Sequence, residues 1–392
     1  MTNLPQGWEK FNFDNIFYSP SSKNYQLNTK DYLDKGCIPI IDQSKKFIIG
    51  YSNNYEKVFK INNCNNSCII FGDHTRVLKF IDFDFVVGAD GVKILLNKDI
   101  ERFNTKFLFF QLLFKDIPLL GYRRHFSVLK QNTFSIPPLK EQERIVGILD
   151  ESFANIDESI KILEQDLLNL DELMQSALQK AFNPLKDNAK ENYQLPQDWE
   201  WKSLNSVVLK TSNINPCDFN EDKFYYIDIS SIDNKNFCIY NIKNIYKQDA
   251  PSRARKDVLY GDVLYATTRP NLKNIAINYY NFNNIVASTG FCILRANEKL
   301  NNKYLFFFLL SDIFDNYINK YIRGAQYPSV SDKDIFNSKI PLPPLQEQEQ
   351  IASHLDELSS HVKNLKQNYQ AQIKNLQELK KSLLDRAFKG RL

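Results

Sequence analysis

Apolar residues in two stretches of the chain recur at alternating steps of four and three. The first run is Leu149, Phe153, Ile156, Ile160, Leu163, Leu167, Leu170, Met174, Ala177 and Ala181. The second is Ile351, Leu355, Leu358, Val362, Leu365, Tyr369, Ile373, Leu376, Leu379 and Leu383. A repeat of 3.5 residues held this long predicts two amphipathic helices with coiled-coil seams. Each helix spans about 42 residues, roughly 63 Å at 1.5 Å per residue. Both open after a Pro-Pro pair, which cannot continue a strand and suits a helix start. The first stops near Phe182-Asn183-Pro184. A lone amphipathic helix of this length leaves its stripe in water, so each needs a partner. Equal lengths within one chain predict that the two pair with each other, and the long intervening segment lets the second return antiparallel to the first. A dimerisation coil between chains is the alternative.

Outside these helices the pattern is that of short strands. Lys46-Phe47-Ile48-Ile49, Ser67-Cys68-Ile69-Ile70-Phe71 and Gly91-Val92-Lys93-Ile94-Leu95 alternate with turn residues, and helices are expected around residues 104–114 and 301–320. The fold class predicted is α+β.

These elements come in duplicate. Ile136-Pro137-Pro138-Leu139-Lys140-Glu141-Gln142-Glu143 returns as Leu342-Pro343-Pro344-Leu345-Gln346-Glu347-Gln348-Glu349. Leu4-Pro5-Gln6-Gly7-Trp8 returns as Leu195-Pro196-Gln197-Asp198-Trp199, and Ala181-Phe182 as Ala387-Phe388. Three looser matches join them. Phe71-Gly72-Asp73 aligns with Tyr260-Gly261-Asp262, Val86-Val87-Gly88-Ala89-Asp90-Gly91 with Ile285-Val286-Ala287-Ser288-Thr289-Gly290, and Phe107-Leu108-Phe109-Phe110 with Tyr304-Leu305-Phe306-Phe307. The chain is a tandem duplication. Its expected divisions are a globular part at 1–136, a long helix and linker at 137–190, a second globular part at 191–341, and a long helix at 342–392.

Composition narrows the class. With 43% hydrophobic residues the chain is globular. A mean hydropathy of -0.42 and the lack of a run of about 18–20 apolar residues argue against a membrane span. Met1-Thr2-Asn3-Leu4-Pro5 lacks the basic start and apolar core of a secretory signal, so a cytoplasmic location is expected. Six cysteines without scaffold spacing fit reduced thiols, and Cys64, Cys68 and His74 lack the second ligand pair that zinc would need. Net charge is +4 overall, and the four segments carry +5, −5, +2 and +2 in chain order, so no segment is basic enough to declare a nucleic-acid partner by itself.

Catalytic constellations are missing from the sequence. The twelve glycines are scattered, and neither a G-x-S-x-G elbow nor an H-E-x-x-H is present. Glu221-Asp222-Lys223 imitates a nuclease E-x-K, but Asp218 lies too close to supply its separate carboxylate, so it reads as surface charge. His354 and His361 sit on the second long helix, where a solvated face is expected.

Two variable α+β domains, each followed by a P-P-L-x-E-Q helix ending in A-F, resemble the specificity subunit of type I restriction–modification systems. The resemblance covers essentially the whole chain and is most specific over Pro137–Phe182 and Pro343–Phe388. Gly72-Asp73-His74-Thr75-Arg76, Gly261-Asp262-Val263-Leu264-Tyr265-Ala266-Thr267-Thr268-Arg269-Pro270 and Arg323-Gly324-Ala325-Gln326-Tyr327-Pro328 add to it.

The resemblance implies two target-recognition domains, each reading one half of an interrupted, asymmetric site in double-stranded DNA. It also implies paired helices acting as a spacer, two docked adenine-specific methyltransferase subunits, and restriction subunits in the full complex. S-adenosylmethionine would bind the methyltransferase, leaving this chain without cofactor, metal or catalytic residue. Residue type and motif position choose the DNA contacts: His74, Arg76, Lys79, Arg123 and Arg124 in the first domain. In the second they are Arg253, Arg255, Lys256, Arg269, Lys273, Arg323, Gln326 and Tyr327. Glu141, Gln142, Glu347 and Gln348 would begin the helices or face the partner, with capping the plainer reading. A coiled-coil adaptor that binds only proteins is the alternative function, and it predicts no salt-dependent DNA affinity.

Overall fold

The computed structural model describes residues 6–64, 66–88, 90–118, 124–183 and 195–392. Leu4, Pro5, Ala89, Arg123 and the linker at 184–190 therefore lie outside the described residues. The chain forms two compact units, Met1–Leu163 with Ala371–Leu392, and Glu164–Gln370. Each unit holds one globular part together with one end of each long helix. Among the described residues no helix is long and apolar enough to cross a membrane.

In the first unit a four-stranded antiparallel sheet runs Phe17–Tyr18, Val92–Asn97, Cys68–Gly72, Leu78–Ile81. A second sheet places Ile38–Ile41 between Gly50–Ser52 and Val86–Val87, the latter pair parallel. Glu9–Asn12 pairs with Thr133–Ile136, which brings the start of the chain to the strand before the first long helix. The second unit repeats this plan. Val208–Leu209, Phe291–Ala296, Val263–Ala266 and Ile275–Ile277 form the antiparallel sheet. Lys223–Ile227 lies parallel to Ile285–Ser288 in the other, and Glu200–Ser203 pairs with Lys339–Leu342. The front-end motif makes the same turn twice, with Gly7 at φ +81° and Asp198 at φ +68°, a left-handed position that suits Gly and tolerates Asp.

The strand registers correct one sequence alignment. Cys68–Gly72 and Val263–Ala266 are the equivalent central strands, since Gly72 pairs with Val92 just as Ala266 pairs with Phe291. Asp73 thus corresponds to Thr267, and both backbone amides donate to a glycine carbonyl, that of Gly91 at 2.7 Å and Gly290 at 2.8 Å. Gly261-Asp262 precedes its strand whereas Gly72-Asp73 ends one. The shared dipeptide is therefore a local coincidence of turn chemistry. The other two matches fall on equivalent elements, including the helices Thr105–Phe114 and Asn302–Leu309. Asn104 and Asn301 cap these, each side-chain oxygen accepting two backbone amides at 2.9–3.0 Å.

The long helices run Leu139–Phe182 and Leu345–Phe388, 44 residues each. The second prolines of the Pro-Pro pairs, Pro138 and Pro344, accept the first helical amides, those of Glu141 and Glu347 at 2.9 Å. Within the first unit Asp157 pairs with Lys380 while Arg144 donates to the Leu392 carbonyl, so the two helices run antiparallel there. In the second unit Asp171 pairs with Lys366, and Ala177 and Ala181 line one groove with Ile351 and Leu355, again antiparallel. The seam is deepest at the helix ends, where a globular part covers it. Phe388 packs on Phe107 and Phe114, and Phe182 on Tyr304 and Phe308, with ring centroids 5.0–5.6 Å apart. Leu365 and Leu379, expected in the seam, are exposed, because one neighbouring helix covers only a narrow stripe.

Candidate nucleic-acid interface

In the second unit the ends of several strands are hydrogen-bonded into one loop cluster. Thr289 N donates to Arg253 O at 2.7 Å, Thr267 N to Gly290 O at 2.8 Å, Val330 N to Thr267 O at 2.9 Å, and Arg269 N to Pro328 O at 2.7 Å. Arg253, Arg269, Gln326 and Tyr327 are brought together on this edge, and all four are exposed. Tyr327 is 71% exposed, and the Arg269 guanidinium lies 5.8 Å from its ring centroid. Arg269 holds the left-handed conformation at φ 50°, ψ 56°, costing on the order of 1–3 kcal/mol for a non-glycine residue. The 323–329 loop closes on itself through two Arg323–Ser329 backbone bonds of 2.9 Å. Gly324 permits the closure: at φ +87° an added Cβ would sit 2.8 Å from the Tyr327 carbonyl oxygen.

The other four basic candidates of the second unit are already engaged. Lys256 pairs with Asp332 at 2.7 Å and Lys273 with Asp315. Burial pushes the Asp315 carboxyl up, and Lys273 partly opposes that. Arg255 is half-buried and donates to Ala254 O at 2.8 Å. Arg323 grips Asp334 with two bonds of 2.9 and 3.2 Å while its guanidinium stays open to solvent. That grip, with the Ser331 hydroxyl and amide, holds the Asp334 carboxyl down at about 2. Asp334 was not singled out from the sequence, although Ser331 and Asp334 together form a capping box that sequence spacing could have revealed.

The first unit builds the corresponding edge from different residues. His125 N donates to Asp73 O at 2.9 Å, as Val330 does to Thr267, and Asp73 Oδ1 accepts Phe126 N at 2.8 Å. His74 and Arg124 are exposed beside this clamp. Gln43 ties the neighbouring loops. Its Oε1 accepts His74 N at 3.1 Å, its Nε2 donates to Asp90 O at 2.8 Å, and its carbonyl accepts the Thr75 hydroxyl at 2.5 Å. No periodicity or motif marks Gln43, because its partners lie 31 to 47 positions away.

Two expected contacts of the first domain point inward. Arg76 is half-buried at φ 61° and donates from Nη1 to Ile117 O at 2.5 Å. Lys79 is 3% exposed, with its Nζ donating to Lys46 O at 2.7 Å and Phe47 O at 3.3 Å and lying 3.7 Å from Asp42. Desolvation lowers its pKa, opposed by Asp42. Its strand position, facing the core between two sheets, is what turns it in.

The residues expected at the partner-facing helix starts divide in two. Gln142 and Gln348 are fully buried and so cannot face a partner; both are internal staples. Gln142 accepts Asn104 N at 2.8 Å and donates to Arg102 O and Pro137 O at 2.9 and 2.8 Å. Gln348 repeats the set with Asn301 N, Lys299 O and Pro343 O, all at 2.9 Å. Glu141 is held by Arg144 and Glu347 accepts the Trp199 indole N–H at 3.1 Å.

Comparison with known proteins agrees with this duplicated plan. The model of a family described as the type I restriction modification DNA specificity domain matches residues 5–167 and again 196–375. The specificity subunit of the Escherichia coli type I restriction enzyme EcoDI is 22% identical over 285 residues, covering 66% of this chain and 62% of that protein. That of Escherichia coli EcoR124I/EcoR124II is 22% identical over 374 residues, covering 86% and 83%. The chain thus spans about three fifths of the EcoDI subunit's length. Among solved structures, a chain from a study of the assembly and conformational transition of the type I R-M system superposes with a TM-score of 0.70 at 20% identity, covering 100% of both chains. The HsdS subunit from Thermoanaerobacter tengcongensis gives 0.53 at 20% identity, covering 99% of this chain and 98% of that one. At these identities the superpositions speak for the fold.

Proposed function

The chain belongs to the family of type I restriction modification DNA specificity domains, and from that premise we propose that it is the sequence-reading subunit of a type I restriction–modification complex. Each unit reads one half of an interrupted site in double-stranded DNA. The observation that carries the reading is the repeated clamp, Asp73 to Gly91 and Thr267 to Gly290, which presents different side chains from one framework. Arg269, Gln326, Tyr327 and Arg253 form the reading edge of the second unit, and His74 and Arg124 that of the first. Arginine and glutamine side chains pair bidentately with guanine and adenine edges, and different sets on the two units give an asymmetric site.

The long helices act as the spacer that sets the distance between half-sites, as rigid linkage does in dimeric DNA readers. Two adenine-specific methyltransferase subunits dock on the complex, joined by restriction subunits. Methyl transfer and its S-adenosylmethionine belong to those partners, and this chain contributes recognition without catalysis. The complex works in the cytoplasm.

Genome-wide adenine-methylation mapping tests the reading. Cells co-expressing the chain with its cognate methyltransferase should gain one interrupted, asymmetric motif absent from cells expressing the methyltransferase alone. Co-purification without a motif would overturn the reading in favour of an adaptor.

A further inference from the structure

Lys79 occupies a strand position that the duplicated fold does not require to be charged. It pairs with Ile70, and the equivalent residue pairing with Leu264 is Ala276, fully buried in its own core. An ammonium taken out of water at such a site costs several kcal/mol unless it is hydrogen-bonded. Its bonds go to Lys46 O and Phe47 O, with Asp42 nearby. The Asp42 carboxylate in turn accepts Ser44 N at 2.8 Å and the Ser44 hydroxyl at 2.6 Å. Gln43, in the same loop, grips the His74 and Asp90 backbones. The loop from 42 to 47 is therefore fastened from below by a buried cation and sideways to the candidate reading edge. Its tip exposes Lys45, Lys46 and Phe47, and neither lysine has an ion-pair partner among the described residues.

We infer that this loop is a DNA-backbone clamp of the first domain: Lys45 and Lys46 contact phosphates beside the half-site, and Lys79 is the positioning residue that holds the loop to them. Lysine suits this task because its compact ammonium reads charge rather than base identity, and phosphate contacts fix the register in which neighbouring side chains meet the bases. The lysine that the sequence offered as a direct contact thus acts through the loop above it. The inference rests on the DNA-reading function proposed above.

The test uses the full chain purified with its methyltransferase and a duplex carrying the mapped motif. Two phosphate contacts contribute about 1.8 to the slope of log affinity against log salt. A Lys45→Gln/Lys46→Gln double variant should lose about that much slope and keep the same methylated motif. Lys79→Met fits the buried site without its charge. It should lose a comparable share of slope although both surface lysines remain, with cooperative unfolding retained. An unchanged slope in the double variant overturns the clamp, also where Lys79→Met fails to fold. A slope lost in the double variant but kept in a folded Lys79→Met overturns the positioning role. A parent complex with neither motif nor salt-dependent binding overturns the DNA-reading function itself, and the clamp with it.

Discussion

Gln142 and Gln348 hold the same place in the two repeats and make the same three hydrogen bonds, each joining the start of a long helix to the turn before a short one. Each amide uses both its donor and its acceptor on backbone groups in a fully buried site. The glutamine of the repeated motif thus ties the start of each long helix to its own domain.

Replacing either glutamine by leucine leaves a buried amide and two carbonyls without partners. Stranding such groups costs about 1–3 kcal/mol. Gln142→Leu should lower first-unit stability and Gln348→Leu second-unit stability, by about 2–3 kcal/mol each, in denaturant unfolding followed by hydrogen exchange. Equal loss of protection in both units from one substitution would contradict the assignment.

Phe388 closes the core of a unit whose other residues lie mostly before position 164. Phe388→Ala should cost about 3–5 kcal/mol and loosen the Thr105–Phe114 helix. The equivalent Phe182→Ala should loosen Asn302–Leu309 instead. Site-resolved hydrogen exchange distinguishes the two.

Asp334 sets a pH limit on the second unit. Its folded pKa of about 2 lies below the ordinary carboxylate value, so the pairing stabilises the fold fully above about pH 4. That contribution is lost as pH falls from about 4 through 2. Asp334→Asn should show lower stability at pH 5 and a shallower decline below pH 4 in unfolding midpoints measured across that range.

Arg269 and Tyr327 should govern one half-site alone. Arg269→Ala should cost about 1–3 kcal/mol of discrimination at one base pair. Methylation mapping should then show one relaxed position in one half of the motif, with the other half and the gap unchanged. Relaxation in both halves would deny that each unit reads separately.

Inserting four residues into both long helices adds roughly 6 Å along each axis. The mapped motif should keep both half-sites and change its gap. An unchanged gap would remove the spacer role.

Sequence by itself determined what depends on near neighbours. Heptad spacing revealed both long helices, to within two residues of their length, because side chains three and four apart share a face whatever surrounds them. Literal repetition revealed the duplication and hence the twin α+β domains. The tertiary structure decided where long-range partners meet. It made Asp73 the equivalent of Thr267 rather than of Asp262, because strand register depends on pairing across each sheet. It turned Lys79, Arg76 and both motif glutamines inward, and it made Gln43 a keystone through contacts 31 to 47 positions away. A lysine or glutamine looks the same in a sequence whether it meets water or a buried carbonyl. Only the packing around it fixes which of the two it meets.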